Sequence, residues 1–500
     1  MTVRPGDRRT LSRSRFFACV AIFALSGMGN ARAIDAFLED DSGTAGFQQL
    51  DDFISGLDTH SETVHLVAHD GKLFAGLSRW TQSDTNPDIG AQVIVKDSAT
   101  DTFDVFDTFD YTVRVTALAS FSVPSSANGG GGDVEVLLSQ AHNLVSSVQE
   151  MTFVWALDGD SSFTGSYQLG GDEDVRSFYG RLEGSTYAFY AGVSDTGIYR
   201  GTWNASTQTI DWSSTPELII DSGTNVGNEG RALAMTQCNG ALYAAVKRRI
   251  YRRNDGGTLV TDTDSVGDNN SRWVRVNVEN IRGSAPSGWR GLTCITQSGS
   301  PAILATYESS DGTVLTPVPY AGKIVRFGSL PTGDLSAKAD WSATIEADIG
   351  DTIAAGLTAM GRTTASSEIG YTIAGYNEWQ PFQYNGNTLH SGGVQWFWQG
   401  YGGCPSDRQC QTSASDAEAC YIVRIPGTTP TFTFDCLGGT GMPLVAKDAD
   451  GVIEYREAFN AVRTIEPAPW DADVFYFGGI DGNNIAHNGA AWIAHIDLSP

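Results

Sequence analysis

Leu73-Phe74-Ala75-Gly76-Leu77, Phe189-Tyr190-Ala191-Gly192-Val193 and Leu242-Tyr243-Ala244-Ala245-Val246 are three renderings of one strand, bulky residues closing on a small pair. The pattern returns as Ile303-Leu304-Ala305-Thr306-Tyr307, Thr372-Ile373-Ala374-Gly375-Tyr376 and Val474-Phe475-Tyr476-Phe477-Gly478-Gly479. Val134-Glu135-Val136-Leu137-Leu138 stands where a weaker copy is due. A unit recurring every ~50–70 residues has the size of a propeller blade with decorated loops. The small pair lets neighbouring blades pack face to face near an axis.

Each copy has company. Val64-His65-Leu66-Val67-Ala68 precedes the first and turns through Asp70-Gly71. Arg231-Ala232-Leu233-Ala234-Met235 precedes another and turns through Asn239-Gly240, a strong hairpin dipeptide. A third strand follows as Gly197-Ile198-Tyr199-Arg200, Arg249-Ile250-Tyr251-Arg252 or Lys323-Ile324-Val325-Arg326. The expectation is an all-β fold, a single β-propeller of about seven four-stranded blades. Irregular spacing and large insertions keep a pair of β-sandwiches or a β-helix as the competing architecture.

The start of the chain reads as an address. Arg4, Arg8, Arg9, Arg13 and Arg15 precede an apolar run from Phe16 to Met28, and Ala31-Arg32-Ala33 has the small-x-small pattern of a cleavage site. This is the layout of a secretory signal peptide, and the run is too short to span a bilayer. The expected organisation is a signal peptide over 1–33, an acidic segment over 34–60 and the propeller over 61–500. A Cys-rich insertion is expected at 380–436, covering or lining a site.

The whole chain carries a formal net charge of −26, and losing the arginines of the leader makes it more negative still. So acidic a surface argues against nucleic acid and anionic membrane as partners. The expected product is a secreted or periplasmic monomer. Of seven cysteines, Cys19 falls in the leader. An even number in an oxidising compartment favours disulfides. Cys404, Cys410, Cys420 and Cys436 are expected to bond among themselves, leaving Cys238 with Cys294 on neighbouring blades.

The chain resembles members of the broad β-propeller superfamily. Residues 467–481, with Trp470-Asp471-Ala472-Asp473-Val474-Phe475-Tyr476, resemble the turn-plus-strand units of sialidase-like propellers. The resemblance covers most of the mature chain and is architectural, so it names no activity.

Function must come from side chains. In a blade the first strand starts, and the second ends, on the face around the channel mouth. The first-strand starts are His65, Arg114, Arg176, Arg231, Arg290 and Arg463, with Thr352 in the sixth blade. Guanidinium forks suit carboxylates, sulfates and phosphates, because they donate paired hydrogen bonds and stay charged. The bland alternative is that each arginine pairs with an acidic neighbour. Among the second-strand exits, His142 and Tyr307 are the candidate catalysts, and Glu308, Asn377 and Glu378 face the same mouth.

Arginine beside a uronate carboxylate acidifies the neighbouring C–H, which His or Tyr would remove. That chemistry is β-elimination, known on propeller polysaccharide lyases, which this chain resembles in fold and residue types only. The expectation is therefore a propeller that binds an anionic polysaccharide or another acidic ligand, with lyase cleavage as the leading reading. The alternatives are a sialidase-like glycoside hydrolase and a non-catalytic binding propeller. Asp448, Asp450 and Glu457 match the later part of a calcium loop, though Ala446 at its first position cannot ligate. A structural calcium is the one cofactor they suggest; an Asp-Gly turn explains them equally well.

Overall fold

The computed structural model describes residues 62–78, 90–109, 112, 114–143, 150–169, 174–194, 196–220, 231–261, 270–276, 288–308, 320–339, 341, 343–359, 369–384, 386–398, 420–436, 446–447, 453–454, 461–480 and 491–497. The signal-peptide and acidic-segment readings fall outside them.

Antiparallel four-stranded sheets follow one another along the chain, each laid out in sequence order. The first runs Glu62–His69, Lys72–Ser78, Ala91–Lys96, Asp104–Phe109; the second Leu118–Val123, Val134–Asn143, Glu150–Leu157, Gly165–Gln168. The third runs Val175–Glu183, Thr186–Val193, Gly197–Asn204, Thr209–Trp212, with Leu218–Ile219 added to its third strand. The fourth is Ala232–Cys238, Ala241–Val246, Arg249–Arg253, Trp273–Arg275, and the fifth Trp289–Gln297, Ser300–Tyr307, Lys323–Phe327, Ala343–Asp348. A final sheet of eight strands spans Ile369–Ala374 to Ala491–Asp497.

Local chemistry accounts for this layout. Asp70 and Gly71 have φ of 48° and 72°, and Asn239 and Gly240 have 48° and 79°. Two positive φ values in succession make the primed turn whose twist matches paired strands. The repeated bulky-small strand is the second of its sheet in five of these copies, and most of its bulky residues are buried.

The sheets close into a ring through their first strands. Thr116 donates its hydroxyl to Val175 O at 2.5 Å, and Ser177 donates to Ala232 O at 2.7 Å. Cys238 and Cys294 are disulfide-bonded, joining the fourth and fifth sheets as expected. Leu66 N donates to Thr464 Oγ1 at 3.1 Å, tying the first sheet to the last. Apolar clusters fill the gaps: Phe74, Val93 and Phe106 meet Leu137 and Val154 between the first two sheets. Leu66, Leu73 and Leu77 meet Tyr476 and Ala491 across the closure. At Gly478 an added Cβ would stand 2.6 Å from Thr63 Cγ2 of the first sheet, which is why the small pair is required there. The architecture is an all-β propeller.

Two expectations need correction in the last sheet. Thr352 does not start a strand; it lies in the helix Ile349–Ala359, whose Ile349, Ile353 and Leu357 pack inward. Asp348 Oδ1 accepts Asp351 N at 3.1 Å and caps its start. Consequently Thr372–Tyr376 is not a second strand. Ile369–Ala374 and Gln380–Tyr384 pair successively along one edge of Asn387–Trp398, making a broken inner strand with residues 375–379 in the gap. The span 380–436, read as an insertion, contributes four strands to this sheet, and Cys420 bonds Cys436 between two of them. Cys404 and Cys410 lie outside the described residues.

Candidate functional site

The arginine positions do recur at the heads of inner strands. Arg176 and Arg290 are second residues of their strands, Arg463 is a third residue, and Arg231 stands just before Ala232. Arg114 pairs with Ser78 in an isolated bridge ahead of the second sheet. Pairing register slips here again and again, between Thr63 and His65, Ala232 and Ala234, Arg290 and Thr293, and Val462 and Thr464. A β-bulge re-aims the side chains around it. Arg463 occupies such a bulge, and the bulge at Val64 leaves its carbonyl to accept Asn377 Nδ2 at 2.7 Å.

Tyr376 stands at the centre of this arrangement. The broken inner strand delivers it: Gly291 and Gly375, with φ of 57° and 59°, approach so closely that a Cβ on Gly291 would lie 2.2 Å from Gly375 O. Only glycine tolerates both the conformation and the contact. Trp379 N donates to Thr293 Oγ1 at 2.9 Å and fixes the far end of the segment. The guanidinium carbon of Arg463 lies over the Tyr376 ring at 4.0 Å from its centroid, and that of Arg290 at 4.5 Å. Burial alone would push the phenol up; Arg290 and Arg463, helped by Arg176, outweigh it and hold the phenol below its ordinary value.

Carboxylates set the ring's balance. Arg290 donates Nε and Nη2 to Glu308 Oε2 at 3.2 and 3.0 Å. Arg463 Nε meets Glu62 Oε1 at 2.7 Å while Nη1 donates to Gln395 Oε1 at 2.8 Å. Arg176 donates Nη2 to Asp174 Oδ2 at 2.7 Å and Nε to Ser194 Oγ at 3.2 Å. Burial, then repulsion from Arg176, lowers the Arg114 pKa against the pull of Asp174, Glu62 and Tyr376. Arg290 and Arg463 are buried, whereas Arg114, Arg176, Arg231 and Tyr376 keep accessible surface. Arg114, Arg176, Arg290 and Arg463 thus act on one another or on Tyr376, and Arg176, Arg290 and Arg463 are each braced by a carboxylate.

The remaining candidates have other surroundings. His65 accepts from Asn377 Nδ2 at 3.4 Å and donates Nε2–H to Thr116 O at 2.9 Å. Burial lowers its pKa to about 4, so it is neutral around pH 7. Tyr307 is buried between the fourth and fifth sheets, edge-on to Trp289 at 4.9 Å. His142 pairs with Met151 in the second sheet, and its side chain lies outside the described residues. Asp448, Asp450 and Glu457 lie outside them too. Among the described residues no group of three or more His, Cys, Asp or Glu could hold a metal ion, and no helix is long and apolar enough to cross a membrane. The two disulfides fit an oxidising compartment.

Sequence reasoning missed Tyr376 as the centre. Its signal was faint: an arginine is absent from the sixth first-strand start, and an aromatic follows the small pair instead.

No protein-family profile matches this chain, and no curated protein matches it. Solved structures do. An ancestral GH74 enzyme shares 8% identity at a TM-score of 0.44, over 88% of this chain and 48% of its own. The chain thus spans about half the length of that enzyme. An α-L-arabinofuranosidase from Fusarium graminearum in complex with an iminosugar inhibitor shares 9% at 0.39, over 87% and 93%. The Dos1 propeller shares 10% at 0.33, over 92% and 96%. At such scores these likenesses carry no activity to this chain.

Proposed function

We propose that this protein is an exported, seven-bladed propeller whose axial mouth binds a carboxylate-bearing saccharide and cleaves a uronic-acid polymer by β-elimination. The observation that carries this is the Tyr376 phenol, pulled down by the two guanidiniums over its ring beside arginines that keep accessible surface.

Arg114 and Arg176 face the incoming uronate carboxylate, and neutralising it makes the adjacent C5–H more acidic. The Tyr376 phenolate takes that proton. The C5–H electron pair forms the C4=C5 double bond, the C4–O bond breaks, and the leaving oxygen receives the proton back from Tyr376. Arg290 and Arg463 are braced by Glu308 and Glu62 and stay with the phenolate, which they stabilise. His65, neutral and bonded to Thr116, serves as a polar wall rather than a cation.

The carboxylate bracing favours one second reading, a non-catalytic binding propeller whose arginines are already largely satisfied. One assay separates the two. Uronic-acid polymers are incubated with the protein while the ultraviolet absorbance of unsaturated uronates is followed. The lyase gives a rise that Tyr376→Phe abolishes, with polymer binding retained. Binding without product establishes the module, reducing ends without absorbance establish a hydrolase, and absence of binding to any uronate overturns the site.

A further inference from the structure

The fifth and last sheets meet across a buried polar cluster that takes no part in the channel mouth. Gln297 ends the strand whose head carries Arg290, so the cluster lies ~20 Å along it from that arginine. At its centre is Arg424, on Cys420–Ile425, whose side chain has no exposed surface. Arg424 Nε donates to Glu346 Oε2 at 2.6 Å, and Nη2 donates to Glu346 Oε1 at 3.0 Å and to Gln297 Oε1 at 2.5 Å. Arg326 Nε donates to the same Glu346 Oε1 at 2.6 Å.

Two atoms of this cluster are left over. Arg424 Nη1 has neither accessible surface nor a hydrogen-bond partner among the described residues, and the same is true of His390 Nδ1. His390 is 6% exposed and stands directly across from Arg424 on the neighbouring strand. Residues so opposed share one face of the sheet. Cys420 and Ile422, at alternate positions before Arg424, pack towards the fifth sheet, so both leftover atoms belong to that seam. A buried charged donor without an acceptor is costly, and its persistence calls for an explanation. Charge narrows the choice. Two guanidiniums share the single Glu346 carboxylate, which leaves one positive charge in excess. His390 adds none, because burial and then the Arg424 charge lower its pKa to about 4. Such a place repels a cation. Both leftover atoms can donate, Nη1 always and Nδ1 whenever the neutral ring carries its hydrogen there.

We propose that Arg424 Nη1 and His390 Nδ1 hold a small monovalent anion of the halide class in the seam between the fifth and last sheets. The anion completes the donor set of Arg424 and offsets the excess charge through charge-assisted hydrogen bonds. It also adds a joint between the last sheet, which carries the Tyr376 segment, and its neighbour. A water molecule is the competing occupant: accepting from Nη1 and donating to Nδ1, it would satisfy both atoms but leave the charge as it is. The site is independent of the saccharide reading, since none of its residues lies at the mouth.

The experiment follows the thermal midpoint as sodium chloride replaces sodium methanesulfonate at constant ionic strength, in the wild type and in His390→Leu. A ligand held only by the folded chain raises the midpoint with its concentration; half-saturation near ~10 mM gives a rise of about 2 °C by about 300 mM chloride. The leucine variant removes the ring nitrogen while leaving Arg424 with Glu346, and should lose most of that rise. Crystals soaked in sodium bromide read the site directly, because bromide scatters anomalously and water does not. The expected result is an anomalous peak bridging Arg424 Nη1 and His390 Nδ1. Absence of that peak overturns the site whatever the midpoint does, and density there without anomalous signal identifies water. A bromide peak with a midpoint indifferent to chloride means an adventitious ion only, and overturns the proposal as well. A rise that persists in His390→Leu places the chloride elsewhere, such as at the axial arginines, and equally refutes the seam. Should the variant not fold, the bromide map and the wild-type titration decide between them.

Discussion

Replacing Glu308 by alanine tests whether the arginine ring is a closed electrostatic unit. Its side chain has no accessible surface, and Arg290, 8% exposed, spends two of its N–H groups on one of its oxygens. Removing one partner of a buried pair strands the other charge in a poorly solvated place, at a cost of ~3–5 kcal/mol. A ring of roughly 440 residues unfolds with an entropy near 0.9 kcal/mol/K, so the thermal midpoint should fall by about 3–5 °C. Glu308→Gln keeps an acceptor without the charge and should lose about half as much, because charge-assisted bonds are roughly twice as strong. A second readout separates this from simple loss of packing. With its counter-charge gone, Arg290 acts undiluted on the Tyr376 ring 4.5 Å away, so the phenol should titrate at lower pH. Tyrosinate absorbance, taken as the difference from the same variant carrying Tyr376→Phe, reads that shift. A midpoint that moves by less than about 1 °C with an unmoved phenol would refute the picture, since it would mean that the pair is hydrated and that Arg290 does not govern Tyr376.

Two further predictions follow from the joints of the ring. Removing the Cys238–Cys294 bond with alanine at both positions opens a loop of 56 residues and should cost ~4 kcal/mol by chain entropy, seen in denaturant unfolding; a loss below 1 kcal/mol would mean that the bond only decorates sheets already locked together. Gly291→Ala drives a methyl into Gly375 O and displaces the Tyr376 segment, so turnover or saccharide affinity should fall on the order of a hundredfold; unchanged affinity and rate would separate Tyr376 from the site.

Much of this was legible in the order of residues. The bulky-small strand, the Asp-Gly and Asn-Gly turns and the pairing of Cys238 with Cys294 are local patterns or follow directly from the repeat, and the structure shows each. The heads of the inner strands were legible for the same reason, and Arg176, Arg290 and Arg463 stand there. The last sheet was misread because Thr372–Tyr376 has the bulky-small signature. Any strand that faces a close neighbour needs small residues, so the pattern does not distinguish an inner strand from a second one. The helix at Ile349–Ala359 had its cap at Asp348 and apolar residues at helical spacing, but it is short and lies among strands. Tyr376 could not be found by any local rule. Its role comes from Arg290, Arg463 and Arg176, up to 200 positions away in the chain, converging on one ring.

That closure fixes when the proposed site can assemble. Leu66 and Thr464 are 398 residues apart, and the Glu62–Arg463 pair spans a similar distance. During synthesis the earlier sheets can stack as they emerge, but the side of the ring that holds Glu62 stays open until the final strands arrive. Closing so long a loop costs little more entropy than closing a shorter one, yet it cannot occur early. A truncated or stalled product that has folded every sheet but the last lacks both the Tyr376 segment and Arg463, so the site proposed at the axis can assemble only after the final strands arrive.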